Sequence, residues 1–242
     1  MIPKIIHSVW VGKAKKPKLV RDCEKSWRKY CCDYKFIEWN ESNFDINLAP
    51  LFVKEAYKMK KWAFVSDYIR LWALYNYGGI YLDSDMELLK NIDVFLKNKS
   101  FSGFEDDNSI QSSIIGSVKK NTLIKELLDY YNDKKFIQEN GLNTITNVQI
   151  ISKILSKKGL VRNNKEQLIN NNLKIYPSVY FCPKSFKTGE VSLENNSYGI
   201  HHFNMSWLSL QKKISIKLGR IYKRYFFKKT CLKILLKFYP LI

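Results

Sequence analysis

No stretch of the sequence approaches 18 consecutive apolar residues, so nothing in it qualifies as a spanning helix. The five cysteines, Cys23, Cys31, Cys32, Cys182 and Cys231, form an odd set with neither CxxC spacing nor paired histidines. That pattern argues against a zinc site or a disulfide framework. No internal repeat is visible. Residues 208–242 lack acid altogether while holding ten Lys or Arg, so they contribute about half of the formal charge of +19. Global disorder is not expected, because 45% of the 242 residues are hydrophobic and 14% aromatic, enough for one sizeable packed domain. The start, "MIPKIIHSVWVG", carries a Lys inside its apolar run and reads as a first strand rather than a leader; the expectation is a cytoplasmic protein.

What is present reads as alternating strands and helices. Lys4 to Trp10 reads as a buried strand, and Lys18 to Tyr30 spaces Val20, Cys23, Trp27 and Tyr30 as one apolar helix face. Tyr34 to Trp39 follows as a strand, and this βαβ order predicts a parallel sheet. Lys61 to Tyr77 is expected to be helical and stopped by Gly78 and Gly79, with Ile80 to Met86 as the next strand. Further strands are expected at Ser100 to Phe104, Ser113 to Ser117, Lys174 to Tyr180 and Ser197 to Phe203, and helices at Leu123 to Asn132 and Asn147 to Lys157. The Asn-rich stretch 161–172 reads as a surface excursion.

The stretch "YGGIYLDSD" concentrates the chemistry. If it continues as a strand, Tyr81, Asp83 and Asp85 point to one face. Two carboxylates this close suit a hard divalent cation that also meets substrate phosphates. The preceding helix climbs roughly 15 Å from Asp67 to Tyr77, and the strand returns about 16 Å from Ile80 to Asp85. The acid pair therefore comes back level with Asp67 and Arg70, which share one helix face. His7 on the first strand reads as structural.

The whole stretch "WAFVSDYIRLWALYNYGGIYLDSDMEL" resembles the signature of glycosyltransferase family 32, the sugar-binding-region glycosyltransferases with an Asp-x-Asp motif, and that of the related glucosylating toxins. The opening "IPKIIHSVWVG" and the late "SYGIHHFNMSW" are similar to the family's first strand and closing motif. The resemblance implies a GT-A fold, a Rossmann-like, mostly parallel sheet flanked by helices, binding a nucleotide-sugar at the carboxyl ends of its strands. It implies that Asp83 and Asp85 hold Mn²⁺ or Mg²⁺ against the donor diphosphate, and that Asp67 and Arg70 grip the donor sugar. By the same resemblance Trp10 stacks on the base, Tyr81 lines that pocket, and Ser206 and Trp207 contact the phosphates. A late histidine is a candidate third ligand. On a strand His201 and His202 face opposite ways, so one of them at most can ligate, and His202 is favoured. Asp107, Asn108 and Gln111 are candidates on the acceptor side. The implied reaction is hexosyl transfer with retention, for which no residue declares itself a nucleophile. Where many members have a Thr-Gly-Pro turn this chain has "TITNVQII", which weakens the transfer of acceptor contacts.

From Leu210 onward Leu210, Ile214, Leu218, Ile221, Tyr222 and Tyr225 recur at helical spacing with basic residues between them, an amphipathic pattern suited to an anionic membrane surface. The expected organisation is a transferase domain over 1–207 and a basic membrane-associating segment over 208–242, peripheral on the inner face of the cell membrane. No nucleic-acid-binding module is recognisable, so a nucleic acid is not expected as partner. The expected partners are a UDP- or GDP-hexose, a glycan or lipid-linked acceptor in bacterial capsular polysaccharide or lipopolysaccharide assembly, and the membrane. The alternative is a non-catalytic basic membrane- or nucleic-acid-binding protein on a degenerate transferase scaffold.

Overall fold

The computed structural model describes residues 1–204, 211 and 214–222. The first half of the chain runs β1 (Ile5–Val9), α1 (Lys18–Tyr30), β2 (Lys35–Trp39), α2 (Leu51–Lys58), α3 (Trp62–Tyr77), β3 (Gly79–Leu82), β4 (Met86–Leu88), β5 (Ser100–Gly103) and β6 (Ile114–Ser117). It continues through α4 (Thr122–Asp129), a hairpin of β7 (Ile137–Gln138) and β8 (Gly141–Leu142), α5 (Asn147–Ser156), β9 (Gln167–Ile169), β10 (Leu173–Tyr176), α6 (Ser178–Phe181) and β11 (Gly199–His201). Residues 214–222 are helical. Among the described residues no helix is long and apolar enough to cross a membrane.

Seven strands form one sheet in the order β2-β1-β3-β6-β5-β10-β9. Strands β2, β1, β3, β5 and β10 run one way, whereas β6 and β9 run against them. The mixed, mostly one-way sheet is the α/β architecture that the βαβ pattern predicts. Because strand side chains alternate, each strand feeds two cores. Tyr81 and Ile115 join the core beneath α2, α3, α4 and α5, while Ile6, Ile80, Leu82 and Ile114 join the core that α1 covers with Cys23 and Trp27.

Helix α3 is apolar on nearly every side, with Phe64, Val65, Ile69, Leu71, Ala73 and Leu74 buried. Such a helix cannot lie on the surface, and it brings Asp67 and Arg70 into the interior with it. It ends at Gly78, which has φ +67° and donates its N–H to the Leu74 carbonyl at 2.9 Å. Gly79 follows at φ +110°, where a Cβ would come within 2.6 Å of the Ile5 carbonyl. Only glycine tolerates both conditions, so the reversal into β3 is fixed here.

Three expectations need correcting. The strand does not run from Ile80 to Met86: it ends at Leu82, where its partner β6 begins at Ile114. The chain then turns, with the Met86 N–H bonded to the Asp83 carbonyl at 2.9 Å, and β4 pairs with β11 in a separate sheet. The strand expected over Lys174 to Tyr180 stops at Tyr176 because Pro177 follows, and Ser178–Phe181 becomes a short helix. The polar stretch 161–172 contains β9, an edge strand antiparallel to β10.

His7 ties β1 to this reversal. The Trp39 Nε1–H can only donate, so the His7 Nδ1 at 3.1 Å accepts. The His7 Nε2 then carries the proton and donates to the Gly78 carbonyl at 2.7 Å. Burial lowers the imidazole from its ordinary value to about 4, with the Gly78 bond opposing. The neutral ring belongs to the fold, so its contribution is complete above pH 6.5 and is lost as pH falls toward 4. We expect about 3 kcal/mol of unfolding free energy to disappear over that window. Urea titrations of the wild type and His7→Gln at pH 7 and pH 4 measure it; an equal pH dependence in the two proteins would refute the assignment.

Candidate active site

At the carboxyl ends of β1 and β3 the structure gathers side chains from α3, β3, the turn after it and β11. Arg70 lies at the centre, 4% exposed. Its Nη2 is 2.9 Å from Asp67 Oδ1 and 3.2 Å from Asp83 Oδ1, and its Nη1 donates to the Ser112 carbonyl at 2.7 Å. The guanidinium stacks 4.6 Å over the Tyr81 ring. The Tyr81 hydroxyl donates to Asp83 Oδ1 at 2.7 Å and lies 3.1 Å from Ser66 Oγ. Asp67 also accepts the Asn147 N–H at 3.2 Å, at the N-terminus of α5, where the helix dipole favours a carboxylate. Asn147 is held in turn by Tyr131, whose hydroxyl donates to its Oδ1 at 2.8 Å.

The two motif aspartates meet through the turn rather than through strand alternation. The Asp83 N–H donates to the Ser113 carbonyl at 2.8 Å. Asp85 Oδ2 accepts the Asn204 N–H at 2.6 Å, which draws the segment after β11 across the motif. That pairing brings His201 Nε2 to 3.4 Å from Asp85 Oδ1 and 4.0 Å from Asp83 Oδ2. Asp83, Asp85 and His201 each offer a ligand atom, all within 4.8 Å of one another. His202, the expected third ligand, is turned away, and its Nε2 lies 2.7 Å from Glu87 Oε2. The ring that stands with the acids is His201. The sequence argument that the two histidines oppose each other is right, but the register β11–β4 decides which one faces inward, and no local pattern discloses it.

The electrostatics are those of a site in want of positive charge. Burial works to raise the Asp85 carboxyl, but the His201 charge and hydrogen bond, with the Asn204 N–H, outweigh it and hold the group at about 2. Burial would lower His201, yet the Asp85 carboxylate raises it well above its ordinary value. Burial pushes Asp67 up to about 6, Asp83 adds to that shift, and Arg70 opposes it. Two carboxylates and an imidazole within bonding reach of one point make a mixed O,N donor set that fits a divalent ion such as Mn²⁺ or Mg²⁺.

The remaining expected residues divide. Trp10 follows β1 and is half-buried, with its Nε1–H donated to the Ala14 carbonyl at 2.7 Å. It lines a cavity of about 360 Å³ with Lys13, Glu38, Asn40 and Glu41. Tyr81, expected to line the donor pocket, is 1% exposed; it faces the α3 core and acts beneath the site, holding Asp83. Asp107 and Asn108 are exposed at the tip of a loop closed by the Phe104–Ile110 bridge. Gln111 is fully buried, with its Oε1 accepting from the Ser113 hydroxyl at 2.5 Å. Ser206 and Trp207 lie outside the described residues. Glu105 was missed by the sequence reading. Burial raises its carboxyl, and it feels both His201 and Asp83 across the site. Its turn inward depends on the chain folding back so that the Glu105 N–H meets the Ser109 carbonyl at 2.7 Å.

Residues 17–102 match the family described as "Glycosyltransferase sugar-binding region containing DXD motif". That stretch of the chain is similar to the family, and the architecture agrees with the fold that the sequence resemblance implied. Sugar transfer is the activity that the family carries. Inositol phosphoceramide mannosyltransferase 2 of Schizosaccharomyces pombe is 26% identical over 212 residues, covering 86% of this chain and 58% of that one. An uncharacterised glycosyltransferase of Acanthamoeba polyphaga mimivirus is 28% identical over 152 residues, 61% of either chain. The chain thus spans about three fifths of the length of these relatives. Among solved structures, a glycosyltransferase involved in the glycosylation of the major capsid of PBCV-1 overlays with a TM-score of 0.48 at 13% identity, covering 89% of this chain and 100% of that one.

Removing Arg70 leaves the buried Asp67 and the half-buried Asp83 without the cation between them. Arg70→Ala should lower the unfolding free energy by about 3–5 kcal/mol at pH 8. The deficit should shrink at pH 5, because Asp67, pushed up to about 6 even beside Arg70, is then largely protonated in both proteins and no longer needs the counter-charge. Urea titration at the two pH values gives the answer, and a deficit independent of pH would show that Arg70 does not neutralise Asp67.

Proposed function

We propose that the protein is a metal-dependent hexosyltransferase that takes its sugar from a nucleotide-sugar and passes it to a glycan or lipid-borne acceptor. The observation that carries this reading is the convergence of Asp83, Asp85 and His201 beside the Asp67–Arg70 pair. A divalent ion bound by those three residues supplies Lewis-acid neutralisation of the charge that grows on a departing diphosphate.

The chain's own residues prepare that event. Tyr81 and Arg70 hold one oxygen of Asp83, leaving the other directed at His201. Asn204 does the same for Asp85. Fixing each carboxylate beforehand means that little reorganisation remains when the donor arrives. The Trp10 cavity, past the carboxyl end of β1, the strand that pairs with β3, is assigned to the base. Its volume lies in the range of small-ligand sites. Asp67 is assigned to the sugar hydroxyls, and Glu105 joins Asp107 and Asn108 on the acceptor side; Gln111, fully buried and bonded to Ser113, has no surface to offer an acceptor. Retention at the anomeric carbon belongs to the same reading and rests on the family resemblance.

The relative from Schizosaccharomyces pombe, named as an inositol phosphoceramide mannosyltransferase, favours a mannosyl donor and a ceramide-type lipid acceptor as the first pair to test. The bacterial polysaccharide and lipopolysaccharide context expected from the sequence finds no counterpart in the two relatives described above, which are from a yeast and a virus. A degenerate, non-catalytic scaffold is disfavoured by the intact charge network, since buried acids without a task are a cost to the fold.

Titration calorimetry with Mn²⁺ and a nucleoside diphosphate tests the ligand set without requiring turnover. Asp85→Asn and His201→Ala should each weaken binding by about tenfold or more, while His202→Ala stays near the wild type. Undiminished binding in Asp85→Asn or His201→Ala, or a matching loss in His202→Ala, removes the assignment. A thermal-shift panel of UDP- and GDP-sugars then identifies the donor.

A further inference from the structure

Past β11 the helical segment 214–222 presents an apolar stripe to the outside. Ile214, Leu218 and Ile221, spaced four and three, share one face and are 50%, 62% and 57% exposed; Tyr222 beside them is 68% exposed. The opposite side of the helix meets the body of the protein. There the Arg220 Nε–H donates to the Phe186 carbonyl at 2.9 Å, and its guanidinium lies 5.2 Å from the Phe186 ring. Phe186 packs on Phe203 at 5.2 Å, and Phe203 packs on His201 at 4.2 Å. The helix is therefore attached through Arg220, two aromatic contacts away from the acid–histidine cluster, with Ile216 half-buried on that side and the Ile214–Leu218–Ile221 stripe outward. Apolar residues at helical spacing are ordinarily covered, so the stripe left outward calls for an occupant.

We propose that this stripe docks on an anionic membrane surface. Charge complementarity selects that occupant over another protein: residues 208–242 carry ten Lys or Arg and no acid. Apolar side chains sink into the headgroup boundary while the flanking cations meet anionic lipid. The division of the chain into a transferase domain and a membrane-associating segment follows from this proposal. So does the way an acceptor arrives: docking through a helix fastened close to His201 holds the cluster at the bilayer surface, where a lipid-borne acceptor is confined. That last point rests on the function proposed above; the docking does not.

Vesicle co-sedimentation of the full chain tests it, using phosphatidylcholine alone and phosphatidylcholine with phosphatidylserine. The wild type should partition onto the anionic vesicles, less so at high salt. The triple variant Ile214→Ser/Leu218→Ser/Ile221→Ser should lose about tenfold or more of that partitioning while keeping the wild-type affinity for Mn²⁺. Asp85→Asn should sediment like the wild type, which separates failure of the docking from failure of the metal site. Equal partitioning of the triple variant would overturn the proposal. So would absence of anionic-vesicle binding, or a concentration-dependent dimer in solution that the triple variant abolishes, since the stripe would then be covered by a second copy.

Discussion

One guanidinium between two carboxylates is the interaction on which the site depends. Arg70 touches Asp67 from its own helix and Asp83 from the end of β3, and the Tyr81 ring lies beneath it. Away from water each of these charges would be costly alone. Together they lock α3 to β3 at one relative height, because sliding either element by a residue would separate the cation from an acid. The reversal at Gly78 and Gly79 sets that height, and His7 holds the reversal against β1. The acid turn is therefore positioned from beneath by groups that need never touch a substrate.

From above, the constraint comes from a different part of the chain. The small β4–β11 sheet and the Asn204 N–H bring His201 onto the acid pair. Helix α1 secures β4 from the other side: the Trp27 Nε1–H donates to the Met86 carbonyl at 2.5 Å, and Ser26 Oγ accepts the Leu88 N–H at 2.9 Å. The Asp85 carboxylate, 3.4 Å from the His201 Nε2, raises that imidazole well above its ordinary value against the effect of burial.

Much of this was legible in the sequence, because it was written in local pattern. Helix α1 spans the residues that its apolar spacing marks, and the antiparallel return of β3 along α3 follows from two glycines and two rises per residue. What was not legible depended on pairing between distant segments. The strand ends at Leu82 because β6 begins opposite it, and His201 faces the acids because β11 takes one register on β4. Glu105 turns inward because a loop closes behind it. Tyr81 was read correctly for its face but not for its depth, since burial by α3 is a property of the assembled layers. One overlooked signal was available: Thr146 and Gln149 form a capping box at the start of α5, and that helix end is where Asn147 meets Asp67.

The joining of Asp85 to Asn204 closes a loop between residues 119 positions apart. A ribosome must therefore release nearly all of residues 1–204 before the acid turn finds its histidine. Because closing so long a loop is slow relative to forming local helices, completion of this cluster falls late in folding.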